Sequence, residues 1–380
     1  MSGKALAGAA TVAALCLAAG TAHAENRKLD AEVARLMALG KVPGVAVAVV
    51  EDGKVAHVTA QGVRNEKGDR LQPQTVMYAA SITKAVFAYY VMMLVDEGRL
   101  DLDTPIATYL PKPLPDYKAY ADLAGDERWK KITPRILLSH SAGFPNFRWL
   151  NPDEKLDIKF EPGSRYAYSG EGINLMQFVI EQGLGIKVGE DMDRRLFKPL
   201  GMSRSGMVWR DDFAPDIADG REESGKWQPH DDRSSVKAAG SLDTTIDDMG
   251  KLAAAVAGGW GLSKKARAEF ARGGLPIVSR SEFPTFTEET NPDNARIKLA
   301  AGVGVVAFEG PQGRAFFKGG HNDITDNMMV CVEKRRRCVV ILTNSGDGQR
   351  IFPSLVKAAL GETGMPWAWE YSRLMPVEAP

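Results

Sequence analysis

Past residue 24 the chain moves between two hydrophobic rhythms. The apolar runs Val45–Val50 and Val55–Ala60 flank Glu51-Asp52-Gly53 and predict a hairpin with a glycine turn. Before them, Leu29–Leu39 has the spacing of a short amphipathic helix ending at Gly40. SITKAVFAYYVMMLVDE, from Ser81 to Glu97, predicts a long helix stopped by Gly98. Residues 101–240 read mainly as helix and loop, with a proline-rich joint over 111–115. A second strand-rich zone opens near Leu299 with LAAGVGVVAFEG, then RAFFKGG, then MMVCVEKRRRCVVIL. Ile351–Leu360 predicts a closing helix, followed by a tail carrying Trp367, Trp369 and Tyr371. Strands at both ends with helices between predict an α/β chain of the α+β type. One antiparallel sheet is built from both chain ends and flanked by helices. A mostly helical lobe is inserted, and a cleft forms where the lobes meet.

The first residues follow neither rhythm. Lys4 is followed by a small, apolar stretch over 5–21, then by Ala22-His23-Ala24 and polar Glu25-Asn26-Arg27. This is the pattern of a secretory signal peptide over 1–24. Its removal takes away Lys4 and Cys16 and leaves one unit of net negative charge. No later stretch is long and apolar enough to span a bilayer. An exported, periplasmic or secreted, location follows as an expectation. The remaining cysteines, Cys331 and Cys338, sit on two apolar runs around a charged turn. If Lys334-Arg335 is the turn, Cys331 faces Cys338 and Val332 faces Arg337. A disulfide and a pair of reduced, buried thiols both fit that register.

Composition narrows the function. In 380 residues, 44 % are apolar and 25 % charged, and Lys+Arg and Asp+Glu stand at 48 each. That balance gives no global attraction to nucleic acid or anionic membrane. Three cysteines exclude a disulfide-dense scaffold. His57, His140, His230 and His321 are scattered without metal-ligand spacing, so neither metal nor cofactor is expected. The G-x-S-x-G elbow, H-E-x-x-H, the phosphate-binding G-x-x-x-x-G-K-[ST] loop and G-x-G-x-x-G are absent.

One short motif carries chemistry. Ser81-Ile82-Thr83-Lys84 opens the long apolar helix. Residues three apart share a helix face, so the Lys84 amine reaches the Ser81 hydroxyl. A serine at a helix start also offers backbone N–H groups and a positive dipole end to a developing oxyanion. Alone, such a motif is common and reads as an ordinary N-cap beside an exposed lysine.

The surroundings change that. From about residue 42 to 347 the chain resembles the penicillin-binding and β-lactamase-like serine hydrolases, in particular the branch with class C β-lactamases, D-Ala-D-Ala carboxypeptidases, D-aminopeptidases and esterases. VPGVAVAVVEDGKV resembles the family's first hairpin, and MYAASITKAVFAYYVMMLVDEGRLDLDTPIATYLP its nucleophile helix. ITPRILLSHSAGFPN, AAGSLDTTIDDMGKL and VVILTNSGD follow in the family's order. The resemblance implies Ser81 as nucleophile and Lys84 as its partner. The family's Tyr-x-Asn motif corresponds to Tyr168-Ser169-Gly170. The tyrosine carries over and the asparagine does not. In the family that asparagine touches the substrate's acyl amide, which Gly170 cannot do, and Glu171 is a candidate to replace part of the contact. For the third motif two registers compete. Lys318-Gly319-Gly320 keeps a lysine and a final glycine, whereas His321-Asn322-Asp323 keeps a histidine. Counting back from Thr343-Asn344 favours the first and makes His321 the second oxyanion N–H.

The resemblance thus implies attack by Ser81 on an amide, lactam or ester carbonyl, an acyl-enzyme, and release by water. Either Tyr168 or Lys84 takes the proton. Lys84 and Lys318 are expected to lower the Tyr168 phenol, and burial to lower a lysine. The expected partner is a small-molecule or peptide substrate. A non-catalytic penicillin-recognising or peptidoglycan-fragment sensor on the same fold is the alternative, with an assembly protein a third reading. The mature chain, 25–380, is expected as a single catalytic domain. Residues 25–80 and about 240–365 form its sheet lobe, and about 81–239 its helical lobe. Phe144, Phe147, Trp149 and Trp209 are candidate apolar cleft residues. His140 and Ser141 read as structural, and Arg99 with Asp101–Thr104 as a loop cap.

Overall fold

The computed structural model describes residues 24–372 and 375–378. The leader expected over 1–24 lies outside the described residues except for Ala24, the first residue of helix α1 (residues 24–40). Strands β1 (Gly44–Glu51) and β2 (Lys54–Gly62) form the first hairpin. Its turn places Asp52 and Gly53 at φ 52° and 77°, a left-handed pair that glycine accommodates without strain. Six further strands come from the other end of the chain: β3 (Leu275–Pro276), β4 (Ala300–Ala301), β5 (Val306–Gly310), β6 (Gly313–Asn322), β7 (Thr325–Val332) and β8 (Arg337–Thr343). Together they make one antiparallel sheet in the order β2-β1-β8-β7-β6-β5-β4-β3. The sheet joins both ends of the chain through the β1–β8 pair, with Val47 opposite Ile341.

Period-two alternation sends each strand's side chains into two cores. In β1, Val45, Val47 and Val49 face one side, and Ala46, Ala48 and Val50 the other. The first side is covered by α1 and by α6 (Phe352–Leu360), through Val33, Leu36, Phe352 and Leu355. The second is covered by α2 (Ile82–Asp96) and α5 (Ile246–Gly258). Small Ala46 and Ala48 leave room for α5, whose Gly250 would place a Cβ 3.2 Å from that of Ala48. Helix α2 is buried on every side from Ile82 to Leu94, including Lys84. That accounts for its apolar sequence and makes Lys84 its one buried charged group, with Asp96 exposed at its end. Gly98, at φ 72°, follows its end. The middle of the chain supplies α3 (Pro134–Leu138) and α4 (Gly170–Leu184), with short 3₁₀ turns before α3 and one, Arg148–Leu150, between the two.

Cys331 and Cys338 face each other across β7 and β8 and are joined by a disulfide. The turn between them is a 3₁₀ segment, Lys334–Arg336, rather than two residues, and the register is unchanged. Closing so short a loop removes limited freedom from the unfolded chain. A Cys331→Ala/Cys338→Ala protein is expected to lose about 2–3 kcal/mol in urea unfolding. Among the described residues no helix is long and apolar enough to cross a membrane.

Candidate active site

The site forms where the start of α2 meets the end of β6. Ala80 is held at φ 47°, an uncommon conformation for a residue with a Cβ. The preceding turn is tied down from both sides: Ala79 N–H donates to Leu242 O at 3.0 Å, and Asn327 Nδ2 to Tyr78 O at 2.9 Å. The N–H groups of Ile82, Thr83 and Lys84 are taken up by the carbonyls of Ala79, Ala80 and Ser81. Ser81 is the N-cap residue, yet its side chain makes no capping bond. Its Oγ instead accepts a hydrogen bond from Lys84 Nζ at 2.8 Å, as the spacing predicts. Lys84 Nζ also donates to Ala239 O at 2.6 Å. Burial, reinforced by the charge of Lys318, pulls the Lys84 amine well below the ordinary lysine range.

Strand β6 brings the third motif. Its pairing with β5 stops at Phe317–Val306, while its pairing with β7 continues to Asn322–Thr325. Beyond Phe317 one edge of β6 is therefore open. Asn322 and Thr325 close a two-residue turn, and every second residue back from there bonds across to β7. The peptide groups of Gly319 and His321 are thus turned to the open edge. Side chains alternate the other way. Lys318 and Gly320 face α2, and Gly319 and His321 face the opposite side. A Cβ on Gly320 would lie 2.6 Å from Ala79 O and 3.0 Å from Ser81 N, so only glycine permits this approach of strand to helix. Lys318 reaches the Tyr168 ring, and Gly320 the start of α2, from the face of β6 that His321 does not share.

Tyr168 is set by an extended segment running along His140. Ala167 N–H donates to His140 O at 2.7 Å, and Ser169 N–H to His140 Nδ1 at 3.1 Å. Ser169 then caps α4 by accepting from Gly172 N–H at 2.9 Å. Lys84 Nζ and Lys318 Nζ each lie 4.9 Å from the centre of the Tyr168 ring. The phenol does not follow the expectation from these two cations. Burial outweighs the lowering by Lys318 and pushes Tyr168 up to about 12. Lys318 moves the opposite way from Lys84. Burial pulls it down, but Tyr168, Glu282 and Glu370 outweigh burial and hold it above the ordinary range.

Several groups here carry no sequence signal. Glu282 is buried and accepts from Tyr166 Oη at 2.6 Å. Glu370, at the end of α7 (Trp367–Glu370), lies against Gly319, where a Cβ would stand 2.1 Å from its Oε1. Burial and the neighbouring Glu282 push Glu370 up to about 8. The tail with its tryptophans thus packs on β6: the Trp369 ring meets Tyr166 and Phe317. The His140 ring, read from the sequence as structural, lies 4.6 Å from that of Tyr168, and its Nε2 is buried without a partner. Burial first, then Lys84 and Lys318, hold this imidazole well below its usual range.

Glu171 does not stand in for the missing asparagine. It turns away to form a bidentate pair with Arg148, 2.8 Å to Oε2 and 3.1 Å to Oε1. The His321 imidazole turns from Ser81 and bonds buried Asp326. Among the four aromatics, Phe144 is core, and Trp209 packs on Phe213 and His230 elsewhere. Phe147 and Trp149 stack on each other beside Gly170. Asp101 does cap its loop, accepting from Asp103 N–H and Thr104 N–H.

Comparison with known proteins agrees with this geometry. A family model described as Beta-lactamase matches residues 29–359. Esterase EstB of Burkholderia gladioli is 26 % identical over 225 residues, 52 % of this chain and 55 % of the relative. A putative D-alanyl-D-alanine carboxypeptidase of Escherichia coli K12 is 26 % identical over 192 residues, 43 % of each chain. The chain thus spans about half the length of the curated relatives it matches. Among solved structures, the D-alanine carboxypeptidase AmpC of Burkholderia cenocepacia superposes with a TM-score of 0.70 at 18 % identity, covering 90 % of this chain and 99 % of that one. The octameric penicillin-binding protein homologue of Pyrococcus abyssi gives 0.68 at 22 % identity, over 84 % and 73 %. A family match that begins in α1 and ends in α6 takes in the whole sheet and every strand and helix around Ser81 except the short α7: the chain belongs to the Beta-lactamase family of serine hydrolases.

Proposed function

We propose that the protein is an exported serine hydrolase that opens an amide, lactam or ester bond through an acyl-enzyme on Ser81. The observation that carries this is the hydrogen bond from a fully buried Lys84 amine to the Ser81 hydroxyl. A lysine drawn toward its neutral form is a better proton acceptor than an ordinary one. Lys84 is therefore the better proton acceptor of the two candidates, because the Tyr168 phenol is held up at about 12 and stays protonated. Ser81 Oγ attacks the carbonyl carbon while its proton passes to Lys84 Nζ. The Ser81 and His321 N–H groups receive the oxyanion, one from the helix start and one from the open edge of β6. Such donors are typically worth about 3–4 kcal/mol each. Collapse expels the leaving group, which takes the proton from Lys84 directly or through the Tyr168 hydroxyl. Water then attacks the ester and loses its proton to Lys84, and collapse breaks the bond to Ser81 Oγ, which takes that proton back as the carboxylic acid leaves. Lys318 keeps its charge beside the Tyr168 ring.

Export rests on the leader pattern over 1–24 and on a disulfide that suits an oxidising compartment. A single mature domain over 25–380 with two lobes is part of the same proposal. The test of function is intact mass of the mature protein over time with benzylpenicillin and, separately, with a 4-nitrophenyl ester. The expected result is an adduct of the acyl mass that clears with release of product and does not form on Ser81→Ala. An adduct that forms and persists would make the protein a binder rather than a hydrolase. No adduct from either reagent would remove Ser81 as nucleophile.

A further inference from the structure

Two glycines in a row mark the working end of β6, and each is approached from a different side. Towards α2, a Cβ on Gly320 would lie 2.6 Å from Ala79 O and 3.0 Å from Ser81 N. On the other side, a Cβ on Gly319 would lie 2.1 Å from Glu370 Oε1 and 3.2 Å from Tyr371 Oη. The strand is thus held between the start of the nucleophile helix and the segment that follows α6. That segment crosses β5 at Gly310, where a Cβ would stand 1.8 Å from Thr363 O. It is then tied to the loop that carries Glu282. Glu282 N–H donates to Trp369 O at 2.9 Å, and Trp369 Nε1 to Ser279 Oγ at 3.2 Å. The Trp369 ring rests on Phe317 of β6 and on Tyr166, and Glu370 is buried. The family match ends at residue 359, so this segment lies outside it. Beyond Phe317 the strand has lost its β5 neighbour. With one ladder gone, residues 318–321 are held by β7 and by what packs on their two faces.

We propose that residues 363–371 are a working part of the active site, with Glu370 as a positioning residue that holds the Gly319–His321 stretch of β6 against Ser81. This role rests on Ser81 as nucleophile and on the His321 N–H as an oxyanion donor. Such a donor acts only at about 2.7–3.1 Å from the oxygen it receives. A shift of about 1 Å in β6 therefore costs rate. The Glu370 carboxyl fills the place of a side chain at 319, so its removal leaves β6 room to relax away from α2. Burial and the neighbouring Glu282 push Glu370 up to about 8. At pH 7 it is therefore largely a neutral acid, whose shape and polarity glutamine copies.

The test measures kcat and KM for 4-nitrophenyl butanoate at pH 7 in the whole mature chain. Glu370→Ala is expected to lower kcat about tenfold or more and to leave KM within about threefold, because the same oxyanion donors serve acylation and deacylation and both steps slow together. Glu370→Gln is expected to keep kcat within about threefold of wild type. Gly319→Ala puts a methyl group where the carboxyl stands and is expected to lower kcat about fivefold or more. In Gly319→Ala/Glu370→Ala the methyl takes the vacated place, and kcat is expected to exceed the product of the two single effects by about fivefold or more. A merely structural role would lower stability and leave the kcat of the folded fraction unchanged. A folded Glu370→Ala protein with kcat within threefold of wild type overturns the proposal, as do single effects that simply multiply in the double variant. Should Glu370→Ala fail to fold, Gly319→Ala decides, and an unchanged kcat there overturns it. Each of these results, with Ser81-dependent turnover in wild type, leaves the hydrolase reading intact. Without Ser81-dependent turnover the nucleophile assignment fails, and the role of Glu370 falls with it.

Discussion

Ser81→Ala is expected to lower kcat/KM for an activated ester by about five orders of magnitude while leaving the fold in place. The size of the loss follows from removing the attacking atom. What remains is binding and the oxyanion donors, which alone act on water-driven hydrolysis. The small effect on the fold follows from the local structure. The Ser81 side chain does not cap α2, so its loss exposes no helical N–H. Unfolding in urea is expected to differ from wild type by less than about 1 kcal/mol. Turnover within tenfold of wild type would place the nucleophile elsewhere.

The second large effect belongs to Lys84. Lys84→Met keeps a long, flexible side chain and removes the base, and a loss of about 10³-fold in the acylation rate is expected. The wild-type rate should rise with pH through the lowered pKa of Lys84 and then level off. That limb should lie well below the ordinary lysine range, and it should be missing in the variant. Stability carries a linked signature. The folded-state pKa of Lys84 is depressed, so the unfolded chain binds one more proton between that value and about 10.4. In this window the group makes wild type gain stability as pH rises, by up to about 1.4 kcal/mol per unit. Lys84→Met lacks the term. Urea unfolding of both proteins at pH 6.5 and pH 9 should show the difference moving in favour of wild type at the higher pH. A difference that stays constant would mean that Lys84 keeps its charge in the folded state and is not the base.

Much of this was legible in the sequence because it depends on local order. The Ser81–Lys84 contact needs one helical turn, and the turn is announced by an apolar run that ends at Gly98. The Cys331–Cys338 register follows from counting outward from a turn, and it survives a change of turn type. The Lys318 motif could be placed by counting back along neighbouring strands, since an antiparallel ladder keeps its register. What stayed hidden depends on folding distant segments together. Glu282 lies on an irregular segment and Glu370 at the end of the four-residue α7, far from Lys318 in sequence, yet both bear on its charge environment. The Ala239 carbonyl that holds Lys84 is a backbone group, and no side-chain pattern marks it. The Tyr168 expectation failed because it weighed two cations and not burial, and burial is the larger influence. Glu171 was misread because its partner, Arg148, comes from a loop with no regular pattern.

The contact between Phe147 and Gly170 also constrains how such a site changes over evolutionary time. Asparagine introduced at 170 while Phe147 is present meets a ring 2.6 Å from its Cβ, and the ring is fastened by Asn146 and Arg148. Shrinking Phe147 first opens a gap beneath Trp149 and removes that ring's stacking partner. The two positions are therefore epistatic: each substitution is disfavoured in the background of the other's present residue. A lineage that exchanged both residues would pass through the smaller-residue intermediate, since an unfilled gap is tolerated more readily than an overlap of atoms with no room to move.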